Sequence, residues 1–143
     1  MNRINRKMEY ALMALKYISH RYAGQLVTVK EICESTGIPF DATSRVMQLM
    51  VQKKILKSEH GAHGGYMLVK DLSKVSFYEV MEAIHGPLEV VRCVSGSGEC
   101  EFFAGCNIKS PLINFNEKLV DFYKSLSVGS LFQAKEVKKE VFL

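Results

Sequence analysis

Between Thr28 and Val69 the chain carries a series of start and stop signals close enough together that few folds satisfy all of them. Thr28-Val-Lys-Glu31 is a capping box, in which a Thr hydroxyl and a Glu carboxylate satisfy free amides. It opens a short helix through Ile32 and Cys33 that stops at Gly37. A third helix follows Pro39, with Val46, Leu49 and Met50 facing inward and Thr43, Ser44, Arg45, Gln48 and Gln52 on the polar side. Ile55 to His60 and Tyr66 to Val69 are strand-like runs bracketing Gly61-Ala-His-Gly-Gly65, a hairpin tip whose glycines accept positive φ. Upstream, Met8, Ala11, Leu12, Leu15, Ile18 and Tyr22 repeat in steps of three and four, which predicts an amphipathic helix from Arg6 to Tyr22, ended by Gly24. Helix, turn, helix and hairpin in this order make a winged helix.

The rest of the chain extends that module. Ser76-Phe-Tyr-Glu79 is a second capping box, starting a helix through Val80, Met81 and Ile84 that ends near Gly86-Pro87. Ser110 is expected to cap a last long helix with Pro111 at its first position. Leu112, Phe115, Leu119, Phe122 and Leu126 form a two-position stripe on it, suited to pairing with a second helix in a homodimer or to packing on the chain's own core. The expected fold is mainly α with a small β-hairpin wing: a winged helix-turn-helix plus a long dimerisation helix. Residues 1–86 are the expected DNA-binding domain, 87–110 a cysteine-rich loop, and 111–143 the dimerisation helix with a charged C-terminal tail from Ala134.

Charge and composition narrow the function. Residues 1–70 hold 11 Lys/Arg against 5 Asp/Glu, a net of +6, and residues 71–143 hold 8 against 10, a net of −2. The basic half is the one suited to face a polyanion, and a winged helix meets a double-stranded DNA operator with its third helix in the major groove and its hairpin tip at a neighbouring backbone or the minor groove. Winged helices also dock proteins, and the basic bias favours DNA. Thr43, Ser44 and Arg45 are candidates for base edges or nearby phosphates, and Lys53, Lys54, Arg3 and Arg6 for phosphates. His60 and His63 at the wing are further candidates, either as pH-sensitive contacts or as solvated tips. No nucleophile motif, paired-carboxylate constellation or nucleotide-binding loop points to an enzyme. No leader and no apolar run long enough to span a bilayer is apparent, so the expected location is the cytoplasm.

Cys93, Cys100 and Cys106 share one short loop, with gaps of six and five residues. Thiolates are soft donors suited to iron–sulfur clusters, and Gly96, Gly98 and Gly105 would let the backbone fold around a bulky inorganic core. Zinc is a rival, although structural zinc sites usually present closer Cys pairs. A bare thiol switch is the third reading. Cys33, beside Ile32 on a short helix, reads as an inert core residue.

On these residues the chain resembles the bacterial family of iron–sulfur winged-helix regulators that includes IscR, NsrR and RirA. The likeness is carried by Arg6-Lys-Met-Glu-Tyr-Ala-Leu12, the wing Gly61-Ala-His-Gly-Gly-Tyr-Met-Leu68, Phe77-Tyr-Glu-Val80, Arg92-Cys93 and Ser127-Val-Gly-Ser-Leu131. It implies a dimeric transcription factor that holds a [2Fe-2S] or [4Fe-4S] cluster through Cys93, Cys100 and Cys106 and answers to cluster supply, iron, nitric oxide or redox state. IscR-like members place a histidine three residues after the last cysteine, where this chain has Lys109, and the gap between Cys93 and Cys100 is one residue longer than theirs. Other members use a carboxylate from the partner's first helix, and the matching position is Glu9. Glu9 is equally readable as a first-turn glutamate favoured by the helix dipole, with solvent, a small thiol or His85 completing the ligand set. Many relatives carry arginine where His60 stands and a small residue where His63 stands. The alternative within the same resemblance is a cluster-free regulator controlled by thiol oxidation or a protein partner.

Overall fold

Asn5 accepts the Lys7 amide at 2.8 Å and so starts α1 (Arg6–Ser19), which buries Met8, Ala11, Ala14, Leu15 and Ile18 along one stripe. In this computed structural model, which describes residues 4–95 and 100–134, the helix ends three residues before Tyr22. Ser19, His20 and Arg21 bring nothing apolar to bury, and the Ser19 hydroxyl donates to the Lys16 carbonyl at 2.6 Å. Tyr22 is therefore outside the helix and 89% exposed.

The first capping box forms as its residues dictate. Thr28 Oγ1 accepts from the Glu31 amide and a Glu31 carboxylate oxygen accepts from the Thr28 amide, opening α2 (Val29–Thr36), which Gly37 closes at φ 77°. Pro39 leads into α3 (Phe40–Gln52). Val46 and Met50 are fully buried as the pattern predicts, and Met47, which the pattern passes over, is buried with them.

Lys54, at φ 59°, turns the chain from α3 into β1 (Leu56–Glu59). That strand pairs antiparallel with β2 (Gly65–Leu68), from Leu56 opposite Leu68 to Glu59 opposite Gly65. Val27 adds a one-residue bridge on the far side of β2, exchanging bonds of 2.9 and 2.8 Å with Tyr66. A Cβ at Gly65 would stand 2.8 Å from the Val27 carbonyl oxygen, so only glycine admits that close approach.

After a 3₁₀ turn at Leu72–Lys74, the second capping box opens α4 (Phe77–His85). The chain then leaves through the cysteine segment and α5 (Lys109–Ser125), and comes back to where it left. The Phe77 amide donates to the Leu126 carbonyl at 2.7 Å and the Val128 amide to the Val75 carbonyl at 2.8 Å, with Ser76 opposite Ser127. Ser127 caps α6 (Val128–Phe132), and Val128 is fully buried in the core shared by α1 to α4. The start of α5 differs from the expected one: the helix begins at Lys109, with Ile108 as a cap that offers no side-chain bond. Pro111 is its third residue, still in the turn whose amides have no intrahelical acceptor. Among the described residues no helix is long and apolar enough to cross a membrane.

Two carboxylates at helix starts tie this fold to pH. The Thr28 amide and hydroxyl hold Glu31 below its ordinary value of 4.5. For Glu79, burial pushes the pKa up, but the Ser76 amide and the Lys70 ammonium outweigh it and leave it lowered. A depressed folded pKa adds stability above the unfolded value and loses it as pH falls through the folded one. Denaturant titrations should therefore show stability dropping below about pH 4.5, and the Glu31→Gln, Glu79→Gln double variant should be less stable at neutral pH with a flatter acid limb.

Candidate functional site

Four side chains on α3, Asp41, Arg45, Gln48 and Gln52, are separated by four, three and four positions and are all exposed, so they form one polar stripe. Ser44 is half-buried at its edge. Thr43 is not part of it. Its exposure is 0%, and its hydroxyl donates to the Pro39 carbonyl at 2.7 Å, so Thr43 is a satisfied core residue rather than a base reader. Helical rotation places it beside Met47 and Met50, where its methyl packs and its hydroxyl is taken by its own first turn.

The stripe is a ridge between two grooves. One, of about 420 Å³, runs between α3 and the start of α1, lined by Lys7, Asp41, Arg45, Gln48 and Gln52. The other, of about 370 Å³, lies between α3 and the hairpin, lined by Gln48, Gln52, Glu59, His60 and Tyr66. Arg45, Lys53 and Lys54 are exposed and, among the described residues, form no ion pair. Arg6 is engaged, donating to Glu9 at 2.7 Å. His60 and His63 are exposed at the hairpin tip, beside a Lys57–Glu59 pair at 3.7 Å. Arg3 lies outside the described residues. The arrangement offers polar side chains to a groove-bearing polyanion with free cations at its margins.

The cysteine segment leaves α4 at Gly86 and is pinned almost at once. Asn116, on α5, is 4% exposed; its Oδ1 accepts from the Val90 amide at 2.9 Å and its Nδ2 donates to the Leu88 carbonyl at 3.1 Å. Sequence reasoning missed this residue, which sits unmarked between Phe115 and Leu119. Cys93 follows on a 3₁₀ turn, Arg92–Ser95. Lys109 closes the other half of the loop, donating to the Phe103 carbonyl at 3.1 Å with its ammonium 4.3 Å from the Phe103 ring centre. A residue with no lone pair for a metal thus holds the loop instead. Gly96 and Gly98 lie outside the described residues, and Gly105 has open space around it without a left-handed backbone.

Cys93, Cys100 and Cys106 are half-buried free thiols. Their chemistry suits a thiophilic metal or cluster, yet among the described residues no three His, Cys, Asp or Glu side chains gather where they could hold a metal ion. Glu9 is half-buried on α1, paired with Arg6, and His85 is exposed at the end of α4. Cys33 is half-buried against the core, in keeping with a packing role.

On α5, Leu112 and Leu119 of the apolar stripe are half-buried, whereas Phe115 and Phe122 are 49% and 58% exposed. Leu126 falls just past the helix and packs on the core. An apolar trough of about 740 Å³ runs alongside, lined by Ile4, Met8, Met81, Leu112, Phe115 and Leu119 among others.

Residues 4–134 match the sequence profile of the Rrf2 family, described as an iron-dependent transcriptional regulator. The HTH-type transcriptional regulator IscR of Escherichia coli is 25% identical over 135 residues, covering 94% of this chain and 83% of the relative. Two solved structures share the fold: CymR, the global cysteine regulator of B. subtilis, with a TM-score of 0.68 at 16% identity over 95% of this chain and 100% of that one, and T. potens IscR, with a TM-score of 0.66 at 16% identity over 99% and 96%.

The Asn116 clamp makes a direct prediction. Asn116→Ala should cost about 2 kcal/mol, because two part-buried hydrogen bonds made by one buried side chain are lost together, and amide hydrogen exchange at Val90 should accelerate while that of α2 stays unchanged.

Proposed function

Because the chain belongs to the Rrf2 family of iron-dependent transcriptional regulators, we propose that it works in the cytoplasm as a homodimer whose grip on a two-fold-related DNA operator is set by an iron–sulfur cluster at Cys93, Cys100 and Cys106. It is a DNA-binding transcriptional regulator rather than an enzyme, as its relatives are. In this reading residues 1–86 read the operator, 87–110 sense, and 111–143 join the two copies. The observation that carries it is the set of three half-buried free thiols on a loop clamped to α5, the helix whose far end returns to the start of α4.

A bound cluster would supply a charged, redox-active centre that cross-links the three thiolates, with Glu9 of the second copy as fourth ligand. The chain's own residues do the coupling. Asn116 and Lys109 tie the loop to α5, and the Leu126–Val128 return ties α5 to the start of α4. A loop that changes shape therefore moves α5, and α5 sets the spacing of two reading heads. Arg45, the Lys53–Lys54 pair, Arg6 and Arg3 bind DNA, with Ser44 and the wing residues His60 and His63 beside them. The exposed Phe115 and Phe122, next to an apolar trough, are the proposed seam between copies.

A second reading has its own support: among the described residues the thiols join no group of three metal-holding side chains, as thiols that act by reversible oxidation need not. Anaerobic purification with iron and acid-labile sulfide analysis separates the two. Matched iron and sulfide, with affinity for the chain's own promoter DNA changing at least tenfold on cluster loss, is the expected outcome. Cys100→Ser should remove both the iron and the response, and Glu9→Ala should weaken both. A colourless protein whose DNA affinity follows thiol oxidation alone would establish the second reading.

For the seam, sedimentation of the Phe115→Asp, Phe122→Asp variant should give a folded monomer with operator affinity reduced by 100-fold or more. A persistent dimer would place the interface elsewhere.

A further inference from the structure

Gln48 stands at the crest of the reading face and, like Gln52 one turn later, carries an uncharged amide where Asp41 and Arg45 carry charges. It and Gln52 line both grooves beside α3, so these two belong to the ridge between them rather than to either wall. Within the stripe, Gln48 lies toward the middle of the helix, whereas Asp41 is in the first turn and Gln52 is the last residue. Its side chain is exposed and, among the described residues, its amide bonds to nothing in the protein. An uncharged amide adds nothing to phosphate attraction, which the free cations Arg45, Lys53 and Lys54 already supply. What it offers is one donor and one acceptor side by side, a pattern that a base edge can match and a phosphate cannot.

We infer that Gln48 is a specificity-determining residue of the DNA-reading face and takes an adenine, its Nε2 donating to adenine N7 and its Oε1 accepting from the N6 amino group. This rests on the reading that α3 enters the major groove. Arg45 lies three positions earlier on the same face, about 4.5 Å along the helix axis, against about 3.4 Å per base step. The guanine suited to Arg45 and the adenine suited to Gln48 therefore fall within about two steps of each other in a half-site. Buried Thr43 leaves no small polar residue competing for that position, and Ser44, half-buried at the stripe's edge, is shorter.

The test is a selection from a randomised double-stranded DNA library with the full chain, run on wild type, Gln48→Ala and Arg45→Ala. Wild type should select half-sites with a fixed adenine near a fixed guanine, and Gln48→Ala should lose the adenine preference alone, with thermal stability unchanged. At that adenine, replacement by 7-deazaadenine should weaken wild type about tenfold and leave Gln48→Ala unaffected. If Arg45→Ala alters the selected site and Gln48→Ala does not, the assignment to Gln48 fails while α3 remains the reading helix. If neither variant alters it, α3 is not the reader and both fall.

Discussion

Two serines facing each other across a single antiparallel bridge organise the molecule. Ser76 caps α4 and Ser127 caps α6, and the bonds from Phe77 to Leu126 and from Val128 to Val75 hold the two helix starts together. Between them lie α4, which packs into the core, and then the cysteine segment and all of α5, which form a closed excursion from the winged helix. The closure is also packed: Val128 enters the shared core, and Gly129 comes so close to Ser73 that a Cβ would lie 2.8 Å from its amide nitrogen. Polar caps and close apolar packing coincide at one point, which makes the junction stiff in a part of the chain that otherwise has few buried residues.

That junction accounts for the division of labour along the chain. The reading half owes its shape to a core built by α1, α3 and α4, in which Ala11, Ala14, Leu15, Val46, Met47, Met50 and Val80 leave almost nothing to solvent. The excursion owes its shape to a few polar clamps instead. Asn116 takes both backbone groups offered by Leu88 and Val90, and Lys109 holds Phe103 by its carbonyl and its ring. Clamps of this kind fix direction strongly and burial weakly, and the three cysteines of the segment accordingly stay half-buried.

Local signals were legible in the sequence because their partners lie within a few residues. Both capping boxes, the Gly37 stop and the hairpin with its glycine tip form where the residue types require them. Thr43 was misread because a threonine's polarity says nothing about which way its methyl faces, and its own Pro39 carbonyl removed the cost of burial. The end of α1 and the start of α5 shifted because helix limits depend on what there is to bury beyond them. Asn116 left no signal, since its partners are 26 and 28 residues away. The three cysteines were plain in the sequence, whereas their mutual placement depends on a loop whose shape no local pattern encodes.

The burial of Thr43 also bears on how such a chain can change its preferences over evolutionary time. Asp41, Arg45, Gln48 and Gln52 occupy only about 60° of the α3 circumference, taking about 100° per residue, and the opposite side is locked into the core. If α3 reads the operator as proposed, mutations on it that alter which DNA is preferred are confined to a handful of positions that carry little of the folding energy. Such a surface can drift between targets by single substitutions, each nearly neutral for stability, while the hidden face of the same helix stays constrained.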